Sequence, residues 1–375
     1  MKITPFLTEH FYARYEFTTP YQLCASDCET LTVEELLRLA DIPLQDFGKL
    51  ALGYTESLGN PRLRELIAGT YVTVSPEDVI ELGTPVEGIY LLARALLNPG
   101  EEVIVLAPAY DSLINTFEHV QGVENVKRWE FTPQEGRWEL DFTRLPGLIS
   151  PRTRLLVVNF PHNPTGYLPS LEQMQELAHI AELHQLILFC DEMYFGLVHS
   201  GSTPIPSMVD VSSRAIVLSG LSKTYGLPGL RTGWLVVRDE EQRQELVNWK
   251  FYTSICPPAP SEFLAMAALQ VREQLVQRSI RQIEQNLTLA EEFFQRWPGL
   301  FTWRRPMGGS VALVGMNVPS VSQFAAELAE KAGVLIQPGI TLGASDQYLR
   351  MGFGRAAYPA ALERFEEYLT SGRSS

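Results

Sequence analysis

A lysine followed eight residues later by an arginine distinguishes the glycine-rich stretch SKTYGLPGLRTG, residues 222–233. The amine of Lys223 can hold an aldehyde as an imine, and the guanidinium fork of Arg231 can hold a phosphate dianion. Pyridoxal phosphate carries both groups, so one segment could bind it at both ends. The alternative is a surface lysine and arginine flanking an ordinary loop. The apolar run 214–219 just before them favours a buried strand that delivers the lysine into a site.

Two further segments place polar residues directly after apolar runs. Asn163 lies in VVNFPHNPTG, residues 157–166, and Asp191 lies in LFCDEMY, residues 188–194. A proline-rich turn and a helix N-cap are the purely structural interpretations of these segments. Beside a pyridine nitrogen, however, an aspartate would keep that nitrogen protonated and so strengthen the cofactor as an electron sink.

Elements that would position these residues alternate from about residue 60 to 250. The pattern predicts helices over 61–71 and 87–97, and strands over 102–106, 154–159, 187–190, 215–219 and 234–237. Such alternation is typical of βαβ units around a mostly parallel sheet. Ligands of open α/β sheets bind at the carboxyl ends of the strands, which is where the polar residues fall.

The remainder of the chain has a different pattern. Residues 260–298 predict a long helical stretch, and 300–375 mix strands (310–315, 334–337, 348–353) with helices (321–332, 358–369). We therefore predict a large cofactor-binding domain over 45–255. A smaller α+β domain is predicted from 1–44 and 256–375, with the site at the interface.

Composition restricts the classes of partner. The chain has 375 residues, 45% of them hydrophobic, and its 30 Lys+Arg against 44 Asp+Glu give a net charge of -14. That charge argues against a nucleic-acid partner, and no apolar run of 18 residues predicts a membrane span. We expect a soluble, cytoplasmic protein, because the first residues lack the apolar core of a signal peptide.

The four cysteines are too few for a disulfide scaffold at this length. Cys24 and Cys28 are four positions apart and could form half of a metal site, but no second pair of suitable spacing accompanies them. Buried thiols are the better interpretation, and we predict no metal.

The segments around Asn163, Asp191 and Lys223, in this order and approximate spacing, resemble fold type I pyridoxal-phosphate enzymes of the class I/II aminotransferase family. The resemblance covers about residues 50–355. It implies an α/β fold with a mostly parallel sheet of the seven-stranded type, flanked by helices, plus a smaller α+β domain. It also implies that Lys223 forms the imine and that Asp191 is the partner of the pyridine nitrogen. By the same resemblance Tyr194 and Asn163 hydrogen-bond the phenolic oxygen of the ring.

The same resemblance implies further cofactor contacts. Arg231 and Ser222 match phosphate ligands, and Tyr110 matches the aromatic ring stacked on the cofactor, with a core tyrosine as its alternative. Tyr54 matches the tyrosine that dimers of the family lend to the neighbouring subunit's phosphate, so a homodimer is implied.

The phosphate loop LGTPVEG, residues 82–88, departs from the family pattern. Pro85 has no N–H to offer, so Thr84 and the amides of Val86 and Glu87 are expected to compensate. Gly220 stands where the family often has a phosphate-binding serine three residues before the lysine.

Substrate recognition follows from the same family pattern. Arg350 in YLRMGF, residues 348–353, matches the arginine that grips the substrate α-carboxylate with Asn163 nearby, which implies an amino-acid substrate. These residues serve transamination and elimination equally, so they do not decide between the two reactions. A non-enzymatic regulator with this fold would carry a basic helix-turn-helix head, which the sequence lacks.

Three strings resemble a cyclising subgroup of the family, capreomycidine synthase and the γ-hydroxyarginine cyclodehydratase that forms enduracididine in guanitoxin biosynthesis. They are NFPHNP with the distinctive His162, residues 221–231, and FYARYEF at 11–17. The resemblance favours elimination and cyclisation of a hydroxylated arginine. The alternative is an aminotransferase that passes the α-amino group of an amino acid to a 2-oxo acid.

A guanidinium substrate needs a carboxylate or an aromatic face at the distal end of its pocket. The N-terminal segment offers Glu9, Glu16 and Asp27 among several aromatic residues. Solvated surface charge is the alternative for each of them. We expect that at least one of the three carboxylates faces the substrate side chain.

Overall fold

The computed structural model describes residues 3–372 as an alternation of strands and helices. The strands are β1 (Tyr21–Gln22), β2 (Val79–Leu82), β3 (Glu102–Ala107), β4 (Val126–Pro133), β5 (Trp138–Leu140), β6 (Thr153–Asn159), β7 (Ile187–Asp191), β8 (Ala215–Gly220), β9 (Gly233–Val237), β10 (Phe301–Thr302), β11 (Val311–Met316), β12 (Val334–Leu335), β13 (Gln337–Pro338) and β14 (Tyr348–Gly352). The helices are α1 (Leu7–Tyr15), α2 (Val33–Leu39), α3 (Leu44–Gly48), α4 (Pro61–Ala68), α5 (Pro85–Ala95), α6 (Ser112–Gln121), α7 (Leu145–Leu148), α8 (Leu171–Leu183), α9 (Met208–Val211), α10 (Glu240–Lys250), α11 (Ala259–Gln270), α12 (Arg272–Arg296), α13 (Val321–Ala332) and α14 (Tyr358–Gly372). The outermost residues of the predicted small domain, 1–2 and 373–375, lie outside the described residues.

An eight-stranded sheet forms the larger layer, with the order β2-β9-β8-β7-β6-β3-β4-β5. Strands β4, β3, β6, β7 and β8 pair in parallel, whereas β9 and β5 run antiparallel to their neighbours. The predicted mostly parallel sheet is therefore confirmed, and the three-residue β5 extends it beyond seven strands. Strands β3, β7, β8 and β9 are apolar runs because both of their faces are covered.

Helices cover both faces of this sheet, and side chains alternate between the two apolar layers. In β3, Val103 and Val105 pack with α5, α6 and α10 on one face. Their neighbours Ile104 and Leu106 pack with α4, α8 and α11 on the other face. The carboxyl ends of β6, β7 and β8 therefore open at one edge between two filled layers.

A second, antiparallel sheet has the order β10-β11-β14-β13 and packs with α12, α13 and α14 in its own apolar cluster. The N-terminal segment joins it through β1, which pairs in parallel with β12. Leu23 continues this pairing by donating its amide to the Leu335 carbonyl at 2.9 Å, and its carbonyl accepts the amide of Gly352 in β14 at 2.8 Å. Residues 23–27 thereby lie beside β14. The division at residue 45 and at 255 and 256 stays a prediction.

We describe three of the differences between the predicted elements and the structure. The helical stretch 260–298 is interrupted at Val271, whose ψ of 21° is not helical. The helix predicted to reach Tyr71 ends at Ala68, because Gly69 has a low helix propensity and caps it. The strand predicted over 334–337 is two short strands that pair with different partners, β1 and β14. Within residues 3–372, no helix combines the length and apolar character needed to cross a membrane.

Candidate active site

A cavity of about 520 Å³ lies where the carboxyl ends of β6, β7 and β8 face the N-terminal segment and β14. It gathers most of the residues that the sequence singled out: Glu9, Glu16, Asp27, Val86, Tyr110, Asn163, Asp191, Tyr194, Ser222, Lys223, Arg231 and Arg350. Thr84 and Tyr54 are absent from its wall. The cavity combines residues from positions 6 to 350, so the site depends on the whole fold.

Asp191 ends β7 with its carboxyl group buried in the cavity wall. The amide of Met193 donates to its Oδ1 at 3.0 Å, and burial raises the pKa of the carboxyl to about 6. Asn159, at the end of β6, donates from Nδ2 to the Asp191 carbonyl at 2.7 Å and accepts the Asn163 amide at 2.7 Å. Sequence reasoning missed Asn159, although its place at a strand end was the available signal. It ties the two strand ends together.

Lys223 follows β8 and donates from Nζ to the hydroxyl of Ser26 at 2.8 Å. Burial lowers the pKa of this amine, while the carboxylate of Asp27 acts in the opposite direction. Both neighbours belong to the N-terminal segment. Lowering the pKa favours the neutral amine, which is the form that reacts with a carbonyl and accepts a proton.

Two buried hydroxyls in the cavity wall have no hydrogen-bond partner among the described residues, Tyr194 Oη and Ser222 Oγ. Burial raises the pKa of Tyr194 to about 12, so the phenol stays protonated and can donate. Unpaired buried polar groups are costly, and a ligand that pairs them relieves that cost. They therefore indicate a ligand with polar atoms at these two places.

Arg231 has a left-handed backbone conformation, with a φ of 56°, at the end of the loop that begins with Lys223. Its guanidinium donates to Thr84 Oγ1 at 2.7 Å and to the Pro228 carbonyl at 2.9 Å. Thr84 therefore holds the arginine from outside the cavity wall. The amide of Glu87 donates to the Thr84 carbonyl at 3.1 Å, and its contact with a phosphate stays a prediction.

Arg350 lies in β14 and is buried, with 1% of its side chain exposed. Its Nη1 donates to Asn163 Oδ1 at 3.3 Å, and its Nη2 donates to Tyr12 Oη at 2.8 Å and to the Cys24 carbonyl at 3.1 Å. Sequence reasoning had not assigned a role to Tyr12. A buried guanidinium that faces a cavity is suited to a carboxylate.

The three N-terminal carboxylates all line the cavity but differ in their partners. Asp27 is paired by two hydrogen bonds from Arg355, at 3.0 and 2.6 Å. Glu9 accepts a hydrogen bond from the Tyr110 hydroxyl at 3.3 Å. Glu16 is half-buried, and burial, then the charges of Asp27 and Glu9, raise its pKa. Asp27 is already neutralised, so Glu9 and Glu16 are the carboxylates open to a substrate cation.

His162 is buried outside the cavity wall. Its Nδ1 lies 2.8 Å from the Thr165 hydroxyl, its ring packs against Phe131, and burial lowers its pKa to about 3. The histidine is therefore neutral, and it shapes the loop that carries Asn163. Tyr54 is 95% exposed, so in a single chain it contacts nothing in the cavity.

Comparisons with known proteins identify the family of the chain. The family model for aminotransferase class I and II matches residues 19–365, and the chain belongs to that family. Capreomycidine synthase from Streptomyces vinaceus is 30% identical over 340 residues, 90% of this chain and 86% of that protein.

Two solved structures cover 99% of this chain. A PLP-dependent aminotransferase from Streptococcus suis 89-1591 has a TM-score of 0.91 and 28% identity over 99% of its own chain. The PLP-dependent cyclase OrfR has a TM-score of 0.88 and 26% identity over 98% of its chain. The protein is thus a pyridoxal-phosphate-dependent enzyme with the fold of this family.

The cavity fits the cofactor by the character of its donors. The unpaired hydroxyl of Tyr194 can pair a phenolic oxygen, and that of Ser222 can pair a phosphate. The buried carboxyl of Asp191 can pair a pyridine nitrogen, and the amine of Lys223 can bind an aldehyde. When bound, pyridoxal phosphate supplies an electron sink for the substrate Cα.

Proposed function

We propose that the enzyme converts a hydroxylated arginine to a cyclic guanidino amino acid by cyclodehydration. One observation carries this proposal. The guanidinium of Arg350, which we expect to bind an anion, lines the same cavity as the unneutralised carboxylates of Glu9 and Glu16. An amino acid with a cationic side chain matches both ends of that charge pattern. The likeness to capreomycidine synthase and to the cyclase OrfR supports the same assignment.

Glu16 is the stronger candidate for the distal cation site. Among the described residues no hydrogen bond reaches its carboxylate, and its pKa is raised by burial and by neighbouring negative charge. A guanidinium placed beside it would offset both effects and could donate two parallel hydrogen bonds.

The chain's own residues then divide the work of the reaction. Arg350, with Asn163, orients the α-carboxylate, and the amine of Lys223, whose pKa is lowered by burial, takes the Cα proton. The carbon–oxygen bond to the side-chain hydroxyl breaks, and the hydroxyl leaves as water with the proton that Lys223 took from Cα. A guanidino nitrogen forms a bond to the same carbon and loses one proton, and a proton is returned to Cα. The net change is the loss of one water, so no 2-oxo acid is consumed.

The competing function is transamination, which the likeness to the Streptococcus suis aminotransferase supports. Incubating the holoenzyme with β- or γ-hydroxyarginine and no 2-oxo acid separates the two functions. We expect a cyclic product lighter by one water. Turnover that requires an added 2-oxo acid, with the product of amino transfer, would reject the cyclodehydratase.

The Glu16→Gln variant tests the substrate class. A hydrogen bond to a charged group contributes about 1.5–3 kcal/mol, so we expect kcat/KM for the hydroxyarginine to fall about 10- to 100-fold. The rate at which the enzyme removes the Cα proton of norleucine, which has no guanidinium, should change less than twofold. Glu34→Gln, an exposed carboxylate at the start of α2, is the control. Equal losses with both substrates would show that Glu16 does not recognise the guanidinium.

We also propose a homodimer in which Tyr54 completes the partner's cavity. Tyr54 lies in an exposed apolar region with Leu52, Tyr252 and Ile255, and Thr55 donates to the Pro257 carbonyl, which joins the two segments. Exposed apolar patches of this kind are typical of interfaces.

Hybrid dimers of Lys223→Ala and Tyr54→Phe chains test the exchange of Tyr54. If Tyr54 acts in the partner's site, the hybrid contains one unaltered site and regains activity. If it acts within its own chain, every site of the hybrid stays altered and no activity returns.

We further propose a cytoplasmic location. The four cysteines are free thiols, three of them buried, as in proteins of a reducing compartment. Fractionation of cells that express the protein at its native level would test this location.

A further inference from the structure

Tyr12 joins the N-terminal helix to the arginine that is expected to bind the substrate. It lies on the face of α1 that covers the cavity, together with Thr8, one turn before it, and Glu16, one turn after it. Its hydroxyl accepts from Arg350 Nη2 at 2.8 Å and donates to the Cys24 carbonyl at 2.8 Å. Burial raises the pKa of Tyr12 well above its usual value, so the phenol keeps the proton that it donates.

The guanidinium of Arg350 has two pairs of parallel N–H bonds, and Nη2 belongs to both of them. Nε is buried and has no hydrogen-bond partner among the described residues. A carboxylate that binds either pair must therefore take an N–H of Nη2. In this structure Nη1 holds Asn163 and Nη2 holds Tyr12 and the Cys24 carbonyl.

We propose that Tyr12 is a positioning residue whose hydroxyl occupies Arg350 Nη2 in the free enzyme and is displaced by the substrate α-carboxylate. This inference rests on the proposed function only in that Arg350 must bind a carboxylate. The exchange keeps Nη2 of the buried guanidinium paired in both states, which avoids the cost of a second unsatisfied donor beside Nε.

The exchange also connects the two ends of the cavity. The other end of α1 is held by Asp111, whose Oδ1 accepts the Thr8 hydroxyl at 2.6 Å and whose Oδ2 accepts the Thr8 amide at 3.2 Å. When Tyr12 is released, the helix loses its bond to β14 while it keeps this anchor. The side chain of Glu16, one turn after Tyr12, then adjusts to the substrate side chain after the carboxylate has bound, while its carbonyl keeps the hydrogen bond from Gln22 at 2.6 Å.

Binding of hexanoate to the holoenzyme, measured by calorimetry, tests the exchange without turnover. Hexanoate carries a carboxylate but neither an amine nor a guanidinium, so only the Arg350 end is probed. In Tyr12→Phe the competing hydroxyl is gone and the free enzyme contains an under-paired guanidinium. We therefore expect hexanoate to bind about tenfold more tightly, equivalent to about 1.4 kcal/mol. Tyr15→Phe, on the same helix but outside the cavity wall, should change binding less than twofold.

Hydrogen exchange supplies a second readout. In the unaltered enzyme hexanoate should speed amide exchange in residues 7–15, and in Tyr12→Phe it should not. Unchanged or weaker binding by Tyr12→Phe, or no response of α1, would overturn the exchange. The variant Arg350→Lys separates this failure from failure of the proposed function. If it leaves hexanoate binding unchanged, Arg350 is not the carboxylate site at all.

Discussion

A methyl group added at Gly220, three residues before Lys223, should lower the stability of the protein. A Cβ built on Gly220 would lie 2.8 Å from the Thr232 carbonyl oxygen and 3.0 Å from Pro85 Cγ, whereas ordinary contact begins at 3.4 Å. The ends of β8 and β9 would have to separate by about 0.6 Å in Gly220→Ala. The same Thr232 carbonyl accepts the Leu221 amide at 3.1 Å, so the shift would also weaken that hydrogen bond.

Overpacking of this kind costs about 1–3 kcal/mol. We expect the midpoint of thermal unfolding of Gly220→Ala to fall by about 4–8 °C for a cost of about 2 kcal/mol, and cofactor affinity to fall with it. Gly229→Ala, in the same loop, is the control, because nothing lies within 4 Å of its Cβ. The double variant Gly220→Ala/Pro85→Ala should recover only part of the loss, since the carbonyl contact remains. Equal midpoints for the two single variants would show that the contacts around Gly220 do not limit the size of its side chain.

Three other variants test charges that the fold buries. The pKa of Asp191 is raised to about 6, so its contribution to stability is present below about pH 4 and lost as the pH rises through 6. Without cofactor, the free energy of unfolding of Asp191→Asn should therefore exceed that of the parent by up to about 3 kcal/mol at pH 7.5 but not at pH 4. Equal gains at both pH values would contradict the raised pKa of Asp191. Burial, and next the carboxyl of Glu262 in α11, raises the pKa of Glu81 to about 9. In urea titrations the parent should therefore lose stability relative to Glu81→Gln as the pH rises from 6 to 9. A difference that does not vary with pH would show that Glu81 is not protonated. Arg355→Met leaves the buried charge of Asp27 unpaired and should cost about 2 kcal/mol in the same titrations. The control Arg62→Met, which removes an exposed ion pair, should cost less than about 0.5 kcal/mol, and similar losses would show that Asp27 does not depend on Arg355.

The sequence could predict the sheet-edge half of the site because the signal there is local. Asn163, Asp191 and Lys223 each follow an apolar run, and runs of this kind form buried parallel strands whose carboxyl ends meet at one edge. The residues that complete the other half depend on pairing between distant segments. Tyr12 meets Arg350 across 338 positions, so no spacing along the chain could single it out.

The sequence also could not distinguish the three N-terminal carboxylates from one another. In the sequence Glu9, Glu16 and Asp27 are equivalent acidic residues among aromatic ones. Only the fold brings Arg355 to Asp27 and leaves Glu16 without a partner among the described residues. The interruption of the long helix at Val271 was equally hidden, because the apolar pattern continues through it.

The choice of reaction should therefore lie in the N-terminal segment rather than at the sheet edge. We propose that the edge residues hold the cofactor, a task that PLP-dependent cyclases and aminotransferases share. Residues 6–27, in contrast, supply Ser26 to the amine of Lys223, Tyr12 to Arg350 and Glu16 to the far wall. A segment that contacts the base, the carboxylate site and the side-chain site at once can bring a leaving hydroxyl and an internal nucleophile together. Replacing single residues of this segment should change which product forms before it changes whether the cofactor binds.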